Sequence, residues 1–306
     1  CLRSNAGNRN ENEHKFFGHV KHYLVKEGQQ IKQICLKTIK TFDTFCFQQK
    51  LLQSLSSRPM KKFAHDHIVP NQEDTREKKE QVAEMFDSIS GRYDFLNRFL
   101  SAGIDIGWRK KAIKELSTLQ PKTLLDVATG TADMAILAHK ILNPEKITGI
   151  DISAGMLEAG QKKIESQGLE KFIELKRGDS ETINFPDNSF DGITVAFGVR
   201  NFEHLEKGLL EMMRVLKPGG KIVILEFTKP SLPGVKTFYT FYMQSFARGM
   251  GSLFSGNKKA YRYLHESVQA FPERAEFVKL LQDAGFRDTY FKMLSLGICA
   301  IYCGYK

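Results

Sequence analysis

Hydrophobic and polar positions divide the chain into stretches of different rhythm. Over residues 1–59 the apolar residues keep no lasting period and fall in short clusters such as Phe45–Phe47 and Leu51–Leu52. Beyond Met60 a helical rhythm appears. Val82, Met85, Phe86 and Ile89 recur at i, i+3, i+4, i+7, which predicts an amphipathic helix over Glu73–Phe86, broken at Ser90-Gly91. Further helices are predicted over about Tyr93–Leu100 and Trp108–Ser117, and Pro121 marks a boundary. From there short apolar runs alternate with helical ones. Strands are predicted over Thr123–Ala128, Lys146–Ile152, Ile173–Lys176, Phe190–Phe197 and Lys221–Phe227. The intervening helices span 132–141, 154–167 and about 203–216, and Pro218-Gly219-Gly220 reads as a turn. Such alternation means βαβ units, a parallel sheet and a doubly wound α/β fold with helices on both faces.

Residues 229–272 read differently. They are rich in Tyr, Phe, Met and Gly, with Pro230 and Pro233 at the start, and predict a helical insertion over one end of the sheet. The chain returns with a helix over Pro272–Ala284. Two strands follow, Asp288–Leu294 and Ile298–Gly304, separated by Gly297; their adjacency predicts an antiparallel hairpin at the sheet edge. The domain reading is therefore an N-terminal extension over 1–59, a helical cap over 60–118 and an α/β domain over 119–306 that carries the insertion.

Composition changes this picture little. Hydrophobic residues make up 42% of the 306 and charged residues 26%, an ordinary globular mixture. Mean hydropathy is −0.33, and no run approaches the roughly 18 apolar residues that span a bilayer. The net charge of +10 first suggests a polyanionic partner. Yet residues 1–59 hold 10 Lys/Arg against 4 Asp/Glu, so most of the excess sits in the first fifth of the chain and no nucleic-acid partner is expected. All nine Met lie at position 60 or later, and the basic residues of 1–59 are mostly lysine, interspersed with Glu11, Glu13, Glu27 and Asp43. That is unlike a mitochondrial leader. The expectation is upstream or non-native sequence ahead of a start at Met60, against a targeting peptide or a genuine N-terminal arm. Five cysteines form no CxxC pair, and Cys299 and Cys303 have no neighbouring His, so no metal site is expected. An odd count with no secretory segment fits a reducing, cytoplasmic setting.

Candidate chemistry sits at the strand ends, where open parallel sheets bind ligands. The first strand ends in Asp126-Val127-Ala128-Thr129-Gly130-Thr131-Ala132-Asp133. Gly130 permits close backbone approach, and Thr131 offers a hydroxyl and an N–H near a helix N-terminus. Asp151 closes the second strand, 21 residues after Gly130, where a carboxylate can accept from both hydroxyls of a ribose. That spacing suits both a dinucleotide and S-adenosyl-L-methionine. The glycines discriminate: GxGxxG is absent, and Asp133 at the helix start would repel a pyrophosphate while tolerating a cationic sulfonium. The competing reading of Asp133 is a helix N-cap. After the third strand, Asp179 and Ser180 are placed to meet an adenine ring; the alternative is a plain turn.

These residues resemble a class I S-adenosylmethionine-dependent methyltransferase, and more narrowly the UbiE/MenG family of quinone-ring C-methyltransferases. The resemblance is carried by Tyr93-Asp94-Phe95-Leu96-Asn97 with Ser101 and Trp108, and by Phe185-Pro186-Asp187-Asn188-Ser189-Phe190-Asp191. It continues in Phe197-Gly198-Val199-Arg200-Asn201, in Arg214-Val215-Leu216-Lys217-Pro218-Gly219-Gly220 with Glu226, and in Tyr261-Arg262-Tyr263-Leu264 with Glu266-Ser267. Departures are Ala132 where the family usually has Gly, Asp105 for His, Thr228 for Ser, and Ala196 for Ser; a methyl at 132 is expected to crowd the methionine end of the cofactor. The resemblance implies a Rossmann-like sheet and a demethylmenaquinol methyltransferase, with a ubiquinone-pathway benzoquinol as the alternative acceptor. It implies cofactor binding by Thr131, Asp151, Asp179 and Ser180, beside the strand-end residues Gly130 and Asp126. Arg200 is expected to stabilise a phenolate, against a structural ion pair, and Asn201 to orient it; Tyr93 and Asp94 are expected to close the pocket. The isoprenoid quinol has a greasy tail, so the aromatic segment 236–254 is expected to line a tunnel or to touch the inner face of the membrane peripherally.

Overall fold

The computed structural model describes residues 63–101, 103–230, 233–234, 237 and 258–306. The extension over 1–59 and, apart from Thr237, the aromatic segment 236–254 lie outside the described residues. The chain divides into two units, Cys1–Pro59 and Met60–Lys306, and every described element belongs to the second.

The apolar runs form seven strands: β1 (Thr123–Val127), β2 (Lys146–Asp151), β3 (Ile173–Arg177), β4 (Phe190–Ala196), β5 (Leu216–Phe227), β6 (Arg287–Leu294) and β7 (Cys299–Tyr305). They make one sheet in the order β3-β2-β1-β4-β5-β7-β6. The first five are parallel, and β7 runs antiparallel between β5 and β6. Strand order reverses direction between β1 and β4, which opens the crevice where such sheets hold ligands. Both faces are covered, so the central strands read as continuous apolar runs: Leu124 and Leu125 of β1, and Ile222, Val223, Ile224 and Leu225 of β5, are all buried, alternately in the two core layers.

Helices α1 (Lys78–Ile89), α2 (Tyr93–Leu100) and α3 (Ile104–Lys114) precede the sheet. Then α4 (Asp133–Leu142), α5 (Ala154–Ser166) and α6 (Leu205–Val215) cross between strands, and α7 (Lys258–Ala270) and α8 (Ala275–Asp283) precede the terminal hairpin. One core layer joins Leu209 and Met212 of α6 to Phe277 and Leu281 of α8. The opposite layer joins Trp108 and Ile113 of α3 to Met134 and Ile136 of α4.

Three local differences from the sequence expectation have physical causes. The first helix starts at Lys78, not Glu73, because Gln81 holds the preceding chain in turns. Its side chain accepts from Asn71 N at 3.0 Å and donates to the carbonyls of Asp74 and Arg76 at 3.1 and 2.9 Å. The third helix starts four residues early, at Ile104, behind Gly103 with φ +77°. Pro218-Gly219-Gly220 is no turn but an irregular stretch inside β5. Phe190 pairs with Leu216 and Gly192 with Lys221, so two steps on β4 match five on β5. Gly219, at φ +78°, donates to the carbonyl of Lys306 at 3.0 Å.

Candidate functional site

A pocket opens at the carboxyl ends of β1, β2 and β4, the place where open parallel sheets hold ligands. Its lining brings together Gly130, Asp151, Asp179, Ser180 and Asn201, with Tyr93, Ile152, Met156, Phe197 and Phe202. Strand-end residues far apart in sequence meet here because parallel strands deliver all their C-terminal loops to one edge.

Asp151 is held by the backbone. Its Oδ2 accepts from Gly130 N at 2.8 Å and its Oδ1 from Ser153 N at 2.9 Å. Burial pushes its pKa up, against the opposing pull of these N–H donors. Each carboxylate oxygen keeps a second lone pair, so the group can still accept from a diol. Gly130 sits at φ +57°, and a Cβ there would stand 3.9 Å from the Tyr93 ring, so α2 closes over the loop. Asp87, which sequence reasoning passes over, ties α1 to this region. Its Oδ1 accepts from Ser153 Oγ at 2.5 Å and Gly155 N at 2.8 Å. Lys79, Val82 and Phe86 of α1, and Glu203, also line the pocket. The sequence signal for the α1 residues is their shared helical face; its docking partner is not written in the local pattern.

Other expected site residues stand behind the wall. Thr131 donates to Asp94 Oδ1 at 2.6 Å and accepts from Lys163 Nζ at 2.9 Å. Lys163 also meets Asp94 at 2.6 Å and Asp133 at 2.7 Å, and Arg98 meets Asp133 at 2.7 Å. Asp133 is thus neutralised by two cations, which hold its pKa down against burial. It is not the N-cap, a position taken by Ala132 at φ +63°. The Ala132 methyl is wholly buried in the core beneath α4 and is not in the pocket lining. Asp126 accepts from the hydroxyls of Thr129 and Thr194, both at 2.6 Å, and burial pushes it up to about 6.

The expected pair Arg200 and Asn201 shares one short turn but meets different surroundings. Asn201 lines the pocket. Arg200, 4% exposed, donates through Nη1 to Phe197 O at 2.6 Å and to Glu226 Oε1 at 2.7 Å. Its guanidinium lies 5.7 Å from the Phe227 ring centre, and Phe227 stacks on Phe197 at 4.5 Å. Of the other departures, Asp105 is buried against Arg98 and Arg109, Thr228 donates to Gly297 O at 2.6 Å, and Ala196 lines the pocket. Among the described residues no helix is long and apolar enough to cross a membrane.

Known proteins resemble this chain in family pattern, sequence and fold. A family model described as the ubiE/COQ5 methyltransferase family matches residues 73–306. The chain is 45% identical over 244 residues to a demethylmenaquinone methyltransferase of Bacteroides fragilis, covering 80% of this chain and 99% of that one. It is 45% identical over 231 residues to a ubiquinone/menaquinone biosynthesis C-methyltransferase of Geotalea daltonii, covering 75% and 98%. A SAM-dependent methyltransferase structure from Thermotoga maritima shares the fold with a TM-score of 0.51 at 18% identity, covering 73% of this chain and 99% of that one.

Proposed function

The chain belongs to the ubiE/COQ5 methyltransferase family, and from that premise we propose that it moves a methyl group from S-adenosyl-L-methionine to a ring carbon of demethylmenaquinol, an isoprenoid quinol. The observation that carries this reading is Asp151, held at the end of β2 by Gly130 N and Ser153 N inside a pocket with no phosphate-binding glycine pattern. The donor set fits the cofactor. Asp151 would accept from the ribose diol, Asp179 and Ser180 would meet the adenine edge, and Ile152, Met156 and Phe202 supply apolar walls for the base. When bound, the cofactor supplies a methyl already activated by a sulfonium. The protein's part is alignment and exclusion of water, to which Phe86 and Tyr93 contribute as rings in the pocket wall. Asn201 would orient a ring hydroxyl, whose ionisation makes the adjacent carbon nucleophilic.

The relatives carry both menaquinone and ubiquinone names, so a demethylated benzoquinol is the second acceptor to test. Transfer of labelled methyl to the two quinols, measured side by side, is expected to favour the naphthoquinol; transfer to neither removes the proposal. Segment 236–254, with Lys236, Arg248 and its aromatic run, is proposed to meet the acceptor's tail at the membrane surface. Flotation with anionic liposomes is expected to carry the protein upward, and its absence there counts against that contact.

A further inference from the structure

Next to the pocket lies a group of buried polar atoms that no protein partner satisfies. Among the described residues, Arg200 Nε, Asn201 Oδ1, Glu226 Oε2 and Tyr263 Oη are buried and make no hydrogen bond. Native interiors leave few such atoms, so each calls for a partner. Chain neighbourhood and direct contact tie them to one another. Arg200 and Asn201 share the short turn Val199–Asn201, and Glu226 is ion-paired to Arg200 at 2.7 Å. Helix α7, which carries Tyr263, packs against the turn Val199–Asn201, within reach of the charges of Arg200 and Glu226. The Tyr263 ring packs with Val82, Phe86 and Ile152, each of which also lines the pocket. Glu226 and Tyr263 are 0% and 2% exposed.

The group offers acceptors and donors together. Glu226 Oε2 and Asn201 Oδ1 accept, Arg200 Nε–H donates, and Tyr263 O–H does either. A phenolic hydroxyl matches that mixture, since it donates one proton and accepts through its oxygen. We propose that Tyr263, Glu226, Asn201 and Arg200 form a seat for one ring hydroxyl of the acceptor, and that Tyr263 thereby fixes which ring carbon faces the methyl donor. The proposal rests on the methyltransferase reading above and adds to it the acceptor's handle. Tyr263 hydrogen-bonds the ring oxygen, Glu226 through Oε1 holds the Arg200 guanidinium in place, and Asn201 joins the seat to the cofactor pocket.

The test uses the full chain and Tyr263→Phe, which keeps the packed ring and removes only an unpartnered hydroxyl. Three quantities are read: cofactor affinity by calorimetry, kcat/KM for demethylmenaquinol, and the ratio of that value to kcat/KM for its monomethyl ether. Expected are an unchanged cofactor Kd and a thermal midpoint no lower than that of the parent. With these comes a fall of about tenfold or more in kcat/KM, with the preference for the free hydroxyl over the ether largely lost. A variant that turns over within about twofold of the parent and keeps that preference overturns the seat and leaves a water-filled or purely structural cluster. A parent protein that binds no S-adenosyl-L-methionine overturns the methyltransferase reading itself, and the seat with it.

Discussion

At the scale of single residues, two aspartates of neighbouring strands have opposite assignments. Asp151 keeps open lone pairs in the pocket, whereas Asp126 gives both oxygens to threonine hydroxyls. Replacing a charged acceptor by a neutral one at Asp151 removes about 1–2 kcal/mol of hydrogen bonding to a diol. Asp151→Asn is therefore expected to weaken S-adenosyl-L-methionine binding roughly tenfold by calorimetry; unchanged affinity would take Asp151 out of the site. Asp126 instead governs a pH response. Its folded pKa, about 6, lies above the ordinary aspartate value of 3.8, so the folded state binds the proton more tightly. Its stabilising contribution is complete below the unfolded value and is lost as pH rises through about 6, by roughly 3 kcal/mol in total. Asp126→Asn keeps the shape and lets the threonine hydroxyls rotate. The difference in urea-unfolding free energy, parent minus variant, is expected to fall between pH 4 and pH 6 and to be flat above pH 7.

At the scale of elements, the ends of β1 and β4 approach so closely that one backbone position tolerates no side chain. A Cβ on Gly198 would stand 2.5 Å from that of Ala128. Gly198→Ala must therefore push the turn Val199–Asn201 outward, at about 1–3 kcal/mol in stability, and is expected to lower turnover further by displacing Asn201. Equilibrium unfolding together with a methyl-transfer assay reads both. The strands and crossover helices were legible in sequence because each apolar run has its own period and its own turn residues. Pro218-Gly219-Gly220 was not, because its strand partner is the chain's far end: Gly219 bonds to Lys306. The same distinction runs through the site. Gly130, Asp151, Asp179 and Ser180 could be placed by counting from strand ends. Nothing local announces that Glu226 stands beside Arg200, or that Asp87 reaches Ser153 across 66 residues.

For the molecule as a whole, the segment ahead of α1 is fastened by a group that must stay uncharged. His65 is fully buried, stacks on Phe63 at 5.9 Å and meets Phe271 edge-on at 5.5 Å. Its carbonyl accepts from the buried Lys78 ammonium at 2.7 Å, and Asp66 lies 3.3 Å from its ring. Burial first, and Lys78 second, push the imidazole down to about 3 from 6.5. The unfolded chain takes up the proton that the folded one refuses, so stability is full above pH 6.5 and declines as pH falls toward 3. About 2 kcal/mol is expected to be lost between pH 6.5 and pH 5. His65→Phe, which keeps an aromatic ring, is expected to flatten this limb in thermal melts across that range; an unaltered limb would mean that His65 is not what senses the acid.

Strand β7 carries Cys299 and Cys303, both wholly buried, with thiol pKa values raised by that burial. Neither sulfur is open to an alkylating reagent while β7 stays clamped between β5 and β6. Modification at these two sites, resolved by mass spectrometry, therefore acts as a natural stopwatch on how often the centre of the hairpin side comes apart. Slower labelling with S-adenosyl-L-methionine present would gauge how far a guest at the β1/β4 crevice steadies a neighbour two strands beyond it.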